Sequence, residues 1–401
     1  MKNSPYLLLL IGLMLMLTSC HQEAERKADR VSFDLFAFEK KRILVKADSL
    51  KDFTPVTITA NIAERSAGGP QDFYSEGDYW WPNPEDPNGP YIRRDGQTNP
   101  DNFTAHRHSL IRFAQIVGAL TSAYQITGDN SYVNHLEPHL RAWFVNPDTR
   151  MNPNLMFAQA IKGKVTGRGI GIIDTVHLVE VALAVELLEK QKQLPAEDLK
   201  VIKNWFSDYS LWLTTHPFGL EEKNNGNNHS VTWALQVAAF AKASGNTKLI
   251  EEMRAFYKEV LLPEQMALNG GFPKELDRTK PYGYSIFNLD AMTALVQLLS
   301  TPQSNLFTYQ TDDGKGLQIA MEFLYPYLKD QSTWPYQKDV MYWDHWPVAQ
   351  PCLLFSSQAF KNDKYLQLWK ELDRNFDETE VVRNMPVKHY TLWFPNNPTE
   401  S

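Results

Sequence analysis

The sequence predicts an all-α fold in which helical hairpins follow one another from about residue 105 onward. Three observations carry that expectation. Long segments repeat their apolar residues at helical spacing, as Leu110, Ile111, Phe113, Ala114, Ile116, Val117, Leu120 and Tyr124 do between His108 and Thr127. A helix that closes in a small polar turn before a second helix occurs at Thr127-Gly128-Asp129, at Ser244-Gly245-Asn246 and, in weaker form, at Lys361-Asn362-Asp363. The interval from Gly128 to Gly245 equals that from Gly245 to Asn362 and corresponds to two helix pairs, so the hairpins build either an open solenoid or a closed ring. Strand signals are sparse and short.

Taken in order, the chain opens with Met1-Lys2-Asn3-Ser4-Pro5 and an apolar run, Tyr6 to Leu17, that is too short to span a membrane comfortably and suits an export signal. Leu17-Thr18-Ser19-Cys20 resembles a bacterial lipobox. That resemblance implies a signal peptide over residues 1–19, lipid on Cys20 and, since His21-Gln22 rather than an acidic residue follows, the outer membrane or the periplasm. Residues 20–32 read as a polar tether. Residues 33–401 read as one domain, because no Gly- or Ser-rich linker divides them. Phe36 to Leu50 predicts a first helix with Phe36, Ile43, Ala47 and Leu50 on one face. Residues 70–105 are rich in Pro, Gly, Asn and aromatics, and an irregular stretch of that length reads as a functional loop, with Trp80 and Trp81 as a wall for a sugar, or as a lid over helix ends. Further helices are expected over Ile173–Glu189, Glu197–Thr215, Glu251–Leu262, Ile286–Leu299 and Gly316–Leu328, and an extended segment from Asn384 to Ser401.

The chain has 401 residues with 43% hydrophobic and 22% charged content, enough for a sizeable core. Its formal net charge of −7 argues against nucleic-acid binding, yet a local basic cleft can still focus field on an anion. Of the cysteines, Cys352 sits in the apolar run Pro351-Cys352-Leu353-Leu354-Phe355 and reads as a buried thiol, so neither a disulfide framework nor a cysteine metal cluster is expected.

The functional signal is Asn224-Asn225-Gly226-Asn227-Asn228-His229-Ser230, set directly before a helix, together with Glu275-Leu276-Asp277-Arg278-Thr279-Lys280-Pro281-Tyr282-Gly283-Tyr284. Amides, an imidazole, a guanidinium and tyrosines are what removal of a proton beside a carboxylate requires. The carboxylate must be hydrogen-bonded or neutralised, a base must take the proton, and an acid must protonate the departing oxygen; no metal or cofactor is needed. Asn228 is the candidate clamp and His229 the candidate base or neutralising cation. Arg278 either grips the carboxylate or holds Tyr284, and Tyr284 is the candidate acid and base, with Tyr282 its rival. Asn227 stands beside the clamp. Arg168 and Lys164, from the basic turn Lys162-Gly163-Lys164-Val165-Thr166-Gly167-Arg168, are candidate anion ligands; His106 and the cluster Tyr342-Trp343-Asp344-His345-Trp346, with Tyr342, Trp343 and His345, are candidate sugar contacts.

These two stretches in a chain of helical hairpins resemble the alginate lyase superfamily, polysaccharide lyase families 5 and 38, over roughly residues 60–350. The resemblance implies an incomplete α/α toroid with long irregular loops and β-elimination on an anionic uronate polysaccharide of alginate or glucuronan type. It assigns Asn228 and His229 to the carboxylate, Arg278 to assistance and Tyr284 to the acid, often also the base. The Arg278-to-Tyr284 spacing departs from the family 5 pattern and keeps Tyr282 in play. Helical toroids also host hydrolysis by carboxylate pairs, for which Glu76, Asp78, Asp174 and Asp344 are the candidates. A third reading is a noncatalytic glycan-binding lipoprotein.

Overall fold

The computed structural model describes residues 33–394, so the expected signal peptide, Cys20 and the tether lie outside the described residues. The chain divides into two compact units, 1–41 and 42–401, and the fold and site described below belong to the second. No helix among the described residues is long and apolar enough to cross a membrane.

In chain order the main helices are α1 (Leu35–Leu50), α2 (Ala105–Thr127), α3 (Ser131–Leu140), α4 (Leu178–Lys190), α5 (Ala196–Thr215), α6 (Pro217–Lys223), α7 (Asn228–Ser244), α8 (Thr247–Phe256), α9 (Pro281–Leu299), α10 (Leu317–Lys329), α11 (Pro351–Ala359) and α12 (Asp363–Glu371). From α2 onward they form an incomplete α/α toroid. Successive inner helices are neighbours, α2 with α4, α4 with α7, α7 with α9 and α9 with α11, while α3 backs α2, α5 and α8 back α7, and α12 backs α11. The sequence dictates the layers. The inner helices α7 and α9 are apolar on nearly every face and bury almost all their residues, and α4 buries every residue from Leu178 to Val185, as a helix without a polar face must. The outer helix α8 buries only Leu249 and Met253, and α12 buries Tyr365, Leu368 and Trp369. Truncating an inner leucine such as Leu235 or Leu289, both 0% exposed, would cost about 2–5 kcal/mol.

The repeated turn is real and has a backbone cause. α2 ends at Gly128 (φ 70°) and α7 at Gly245 (φ 81°), left-handed caps that glycine adopts without a Cβ penalty. The third copy shifts by one residue: Lys361 takes the positive φ of 52°, and Asn362 instead caps α12 by accepting from Lys364 N–H. Each interval spans two inner helices, as the spacing predicts.

Between α11 and α2 the ring is filled by the segment ending in the 3-10 turn Tyr390–Trp393, which packs on α2 and α4, while Trp393 lies 5.6 Å from Phe355 of α11. This segment was expected to be extended. Its turn forms around Glu180 of α4, which accepts from Lys388 N–H, His389 N–H, His389 Nδ1 and Trp393 Nε1. Burial alone would raise the Glu180 pKa, but His389 and Lys388 outweigh it and hold the carboxyl at about 2. The loop of residues 70–105 is ordered by short strands. β1 (Tyr74–Glu76) pairs in parallel with β4 (Phe157–Ala160), and β2 (Trp80–Trp81) pairs antiparallel with β3 (Ile92–Arg93), Trp80 opposite Arg93.

Candidate active site

A cleft of about 260 Å³ opens where the amino-terminal ends of α7 and α9 meet the loop of β2 and β3; Tyr79, Trp80, Arg168, Asn227, Asn228, His229, Arg278, Tyr284 and Arg383 are among its lining residues. The positive ends of the two inner helices therefore face the site, an arrangement that favours an anion.

Asn227 is the N-cap of α7, its Oδ1 accepting from His229 N–H at 3.1 Å. That cap sets Asn228 and His229 on the first turn, where buried carboxylates fix both side chains. Glu275 accepts from Asn228 N–H at 2.6 Å and from its Nδ2 at 2.8 Å. This leaves the second amide hydrogen of Asn228 for a ligand. Glu222, fully buried, lies 2.7 Å from His229 Nδ1 and 3.0 Å from Asn225 Nδ2. An acceptor-only carboxylate at Nδ1 places a proton there and leaves Nε2 for the substrate.

Tyr284 sits one turn into α9. Its hydroxyl is 2.6 Å from that of Tyr79 and 3.4 Å from Arg278 Nη2, and the Arg278 guanidinium stands 4.5 Å from its ring centre. Burial, reinforced by Tyr79, raises the Tyr284 pKa well above 10, and Arg278 pulls it back in part. Lys280 Nζ, 5.2 Å from the Tyr284 ring and 5.3 Å from that of Tyr79, is tied to Glu380 at 2.6 Å. Arg278 does not pair with Asp277 or Glu275. It donates through Nε and Nη2 to Asp95 at 3.3 and 3.1 Å, while Asp95 also accepts from Thr279 Oγ1 and Arg93. Burial works against the Asp95 charge, but Arg278, Thr279 and Arg93 prevail and hold its pKa at about 2.

At the cleft wall, Arg107 bridges Asp78 at 2.8 Å and Asp174 at 3.1 Å, and Arg383 bridges Asp78 and Glu380. Asp78 is the only one of the four candidate hydrolytic carboxylates on the cleft, and its oxygens are taken by Arg107 and Arg383. Glu76 is tied to Arg65 and Tyr74, Asp174 to Ser75 and Arg107, and Asp344 is exposed. No pair of them faces across the site.

The structure brings together Asn227, Asn228, His229, Arg278, Tyr284, Arg168 and Trp80. Arg168 is held by the Gln159 carbonyl and side-chain oxygen, both at 3.0 Å, and burial lowers its pKa to about 10. Other expected ligands are elsewhere. His106 is 2% exposed with both ring nitrogens occupied, by Tyr74 N–H and the Asn61 carbonyl, so it is a packing histidine. Tyr282 is fully buried against Trp334 and Trp343 and donates to the Tyr327 carbonyl, on a different face of α9 from the one that carries Tyr284. That packing also accounts for Trp343. Tyr342 touches the site only through Lys280, 5.2 Å from its ring, and His345 is exposed beside it. Trp81 turns away to the Gln97 carbonyl and Arg94, and Lys164 lies over Trp80 on the outer side of its turn. Tyr79, Glu222, Glu275, Asp95 and Lys280 were not predicted. Glu275 and Lys280 lay inside the singled-out stretch and Tyr79 beside Trp80, but Glu222 and Asp95 carry no local signal.

A hydrogen-bonded tyrosine pair under a guanidinium, opposite an amide and a carboxylate-bound imidazole in the mouth of a helical toroid, belongs with the polysaccharide lyases, and comparison with known proteins agrees. The family described as Alginate lyase matches residues 57–334. A crystal structure of an alginate lyase from Bacteroides ovatus is similar at 30% identity and TM-score 0.77, covering 93% of this chain and 96% of that one. The chain belongs to the alginate lyase family. Alginate lyase A1-III from Sphingomonas species A1 shares the fold at 14% identity and TM-score 0.51, over 80% of this chain and 87% of its own. Its histidine-to-alanine variant complexed with a tetrasaccharide gives 14% and 0.54, over 80% and 88%. No curated protein matches the chain.

Proposed function

We propose that the protein cleaves a uronic-acid polymer of alginate or glucuronan type by β-elimination, with Asn228 at the substrate carboxylate, His229 beside it and Tyr284 as base and acid. The observation that carries this reading is the Tyr79–Tyr284 pair at 2.6 Å, beside Arg278 and lining one cleft with Asn228 and His229. The free amide hydrogen of Asn228 donates to the carboxylate, where negative charge grows as the C5 proton leaves, and His229, with its Nδ1 proton held by Glu222, offers Nε2 as an acceptor to a hydroxyl of the same sugar. Tyr284 has first lost its proton to solvent through Tyr79, and Arg278 and Lys280 supply the positive field for the tyrosinate. The C5–H bond breaks toward the Tyr284 oxygen, the C4–O bond breaks, a C4=C5 double bond forms, and Tyr284 returns the proton to the departing oxygen. Arg278 is held by Asp95, which supports its acting on Tyr284 rather than gripping the substrate directly.

The test is ultraviolet absorbance of the unsaturated product during incubation with polymannuronate, polyguluronate, glucuronan and a glycosaminoglycan in turn. A rise with one polymer is expected; new reducing ends without absorbance would establish hydrolysis instead. We also propose export as a lipoprotein anchored through Cys20, checked by loss of membrane retention in Cys20→Ser.

A further inference from the structure

A second groove, of about 800 Å³, runs along the outer side of the turn that carries Arg168, lined by Arg65, Tyr74, Glu76, Lys162, Lys164 and Phe218 among others. The turn is a tight hairpin, with Ile161 and Val165 bridged and Lys164 N–H donating to the Ile161 carbonyl. It holds both lysines exposed at the groove. Glu76, the carboxylate of this groove, is already bound by Arg65 at 2.7 Å and by the Tyr74 hydroxyl at 2.9 Å. Lys162 and Lys164 have no carboxylate partner among the described residues; each instead lies near an aromatic ring, Lys162 at 5.6 Å from Tyr91 and Lys164 at 5.3 Å from Trp80. Trp80 also has Arg168 at 5.9 Å and lines the active-site cleft, so Lys164 of the groove stands over a ring of the cleft.

We infer that this groove is a distal subsite for the anionic polymer, in which Lys162 and Lys164 take uronate carboxylates of sugars remote from the bond that is cut. The inference rests on the proposed uronate substrate and extends it: a chain that passes Trp80 leaves the catalytic cleft and meets uncompensated ammonium groups beside aromatic faces. In a protein of net charge −7, such a pair is a local attraction for a polyanion that the rest of the surface repels. A short oligosaccharide confined to the cleft does not reach it.

The test is equilibrium binding to the full chain in a Tyr284→Phe background, so that the probes survive. Affinity for long polymannuronate is compared with affinity for the mannuronate trisaccharide, with and without Lys162→Ala/Lys164→Ala. The ratio of long-chain to trisaccharide affinity should fall about three- to tenfold in the double variant, the scale of two exposed ionic contacts, and Lys162→Arg/Lys164→Arg should restore it. An unchanged ratio overturns the inference, as does an equal loss for both probes. Because binding is measured, this result is separate from the absorbance assay, which alone decides whether the chain is cut by elimination.

Discussion

Replacing Glu222 with Gln tests the proposed role of His229 without emptying space. Glu222 is fully buried, accepts from His229 Nδ1 at 2.7 Å and from Asn225 Nδ2 at 3.0 Å, and is not among the residues that line the cleft. It is a positioning residue. Glutamine has the same shape but only one acceptor oxygen. If that oxygen serves His229, the amide nitrogen faces the Asn225 donor; if it serves Asn225, the amide faces Nδ1 and the imidazole must move its proton to Nε2. Either way a charge-assisted hydrogen bond is lost, worth about 1.5–3 kcal/mol. With each 1.36 kcal/mol a factor of ten, kcat should fall about 10- to 150-fold, read from the initial rate of absorbance of the unsaturated product. Thermal melting and trisaccharide binding in the Tyr284→Phe background separate this from collapse of the loop. Should Glu222→Gln retain wild-type kcat while still folded, the imidazole does not depend on this carboxylate, and the proposed orientation of His229 is wrong.

The two tyrosines of α9 make a contrasting pair. Tyr284→Phe should abolish turnover and keep substrate binding, whereas Tyr282→Phe, which loses only a hydrogen bond to the Tyr327 carbonyl, should keep near-normal kcat and lose about 1 kcal/mol of stability. Asn228→Ala should raise the barrier by about 2–4 kcal/mol, the scale for one donor to developing charge, and leave the buried Glu275 with the backbone N–H of residue 228 but without the side-chain donor, so a lower melting temperature is expected as well. The pH profile follows from the Tyr284 pKa lying above 10. The active form has lost that proton, so kcat/KM should climb about tenfold per pH unit toward alkaline pH; a plateau below pH 8 would show that another group is the base.

Periodicity and caps made the helices legible, because an inner helix such as α7 must be apolar all round and must stop at a residue free to take positive φ, as Gly245 does. The Asn-His turn and the Arg/Tyr stretch were legible for a related reason: they are polar residues massed at helix starts where capping needs only one. What escaped was the support at long range. Asp95 reaches Arg278 across 183 residues and Tyr79 reaches Tyr284 across 205. Neither pairing leaves a mark in either segment alone. His106 shows the reverse error. A histidine at the start of a helix looks available, yet β1 docks there and uses its ring as a backbone partner. Tyr282 and Tyr284 stand two apart on one helix and so point to different faces; only the packing of Trp334 and Trp343 decides which of them is core.

The placement of charge in the cleft bears on catalysis itself. An acidic protein that acts on a polyanion could line its cleft with free cations, but these would bind the ground-state carboxylate as firmly as the transition state and raise affinity without raising kcat. Here Arg93 and Arg278 share Asp95, and Arg383 shares Asp78 with Arg107. The group nearest the proposed carboxylate position is instead a neutral amide, Asn228, aimed by a buried Glu275. A fixed dipole of that kind gains most when charge builds on the carboxylate, and needs no reorganisation when it does. Of these guanidiniums Arg278 reaches the Tyr284 hydroxyl, at 3.4 Å, while Arg107 and Arg383 tie down the loop through Asp78. Arg168, whose side-chain hydrogen bonds among the described residues go only to the oxygens of Gln159, is the cleft cation left for ground-state attraction, and it stands beside Trp80, the ring over which Lys164 of the second groove lies.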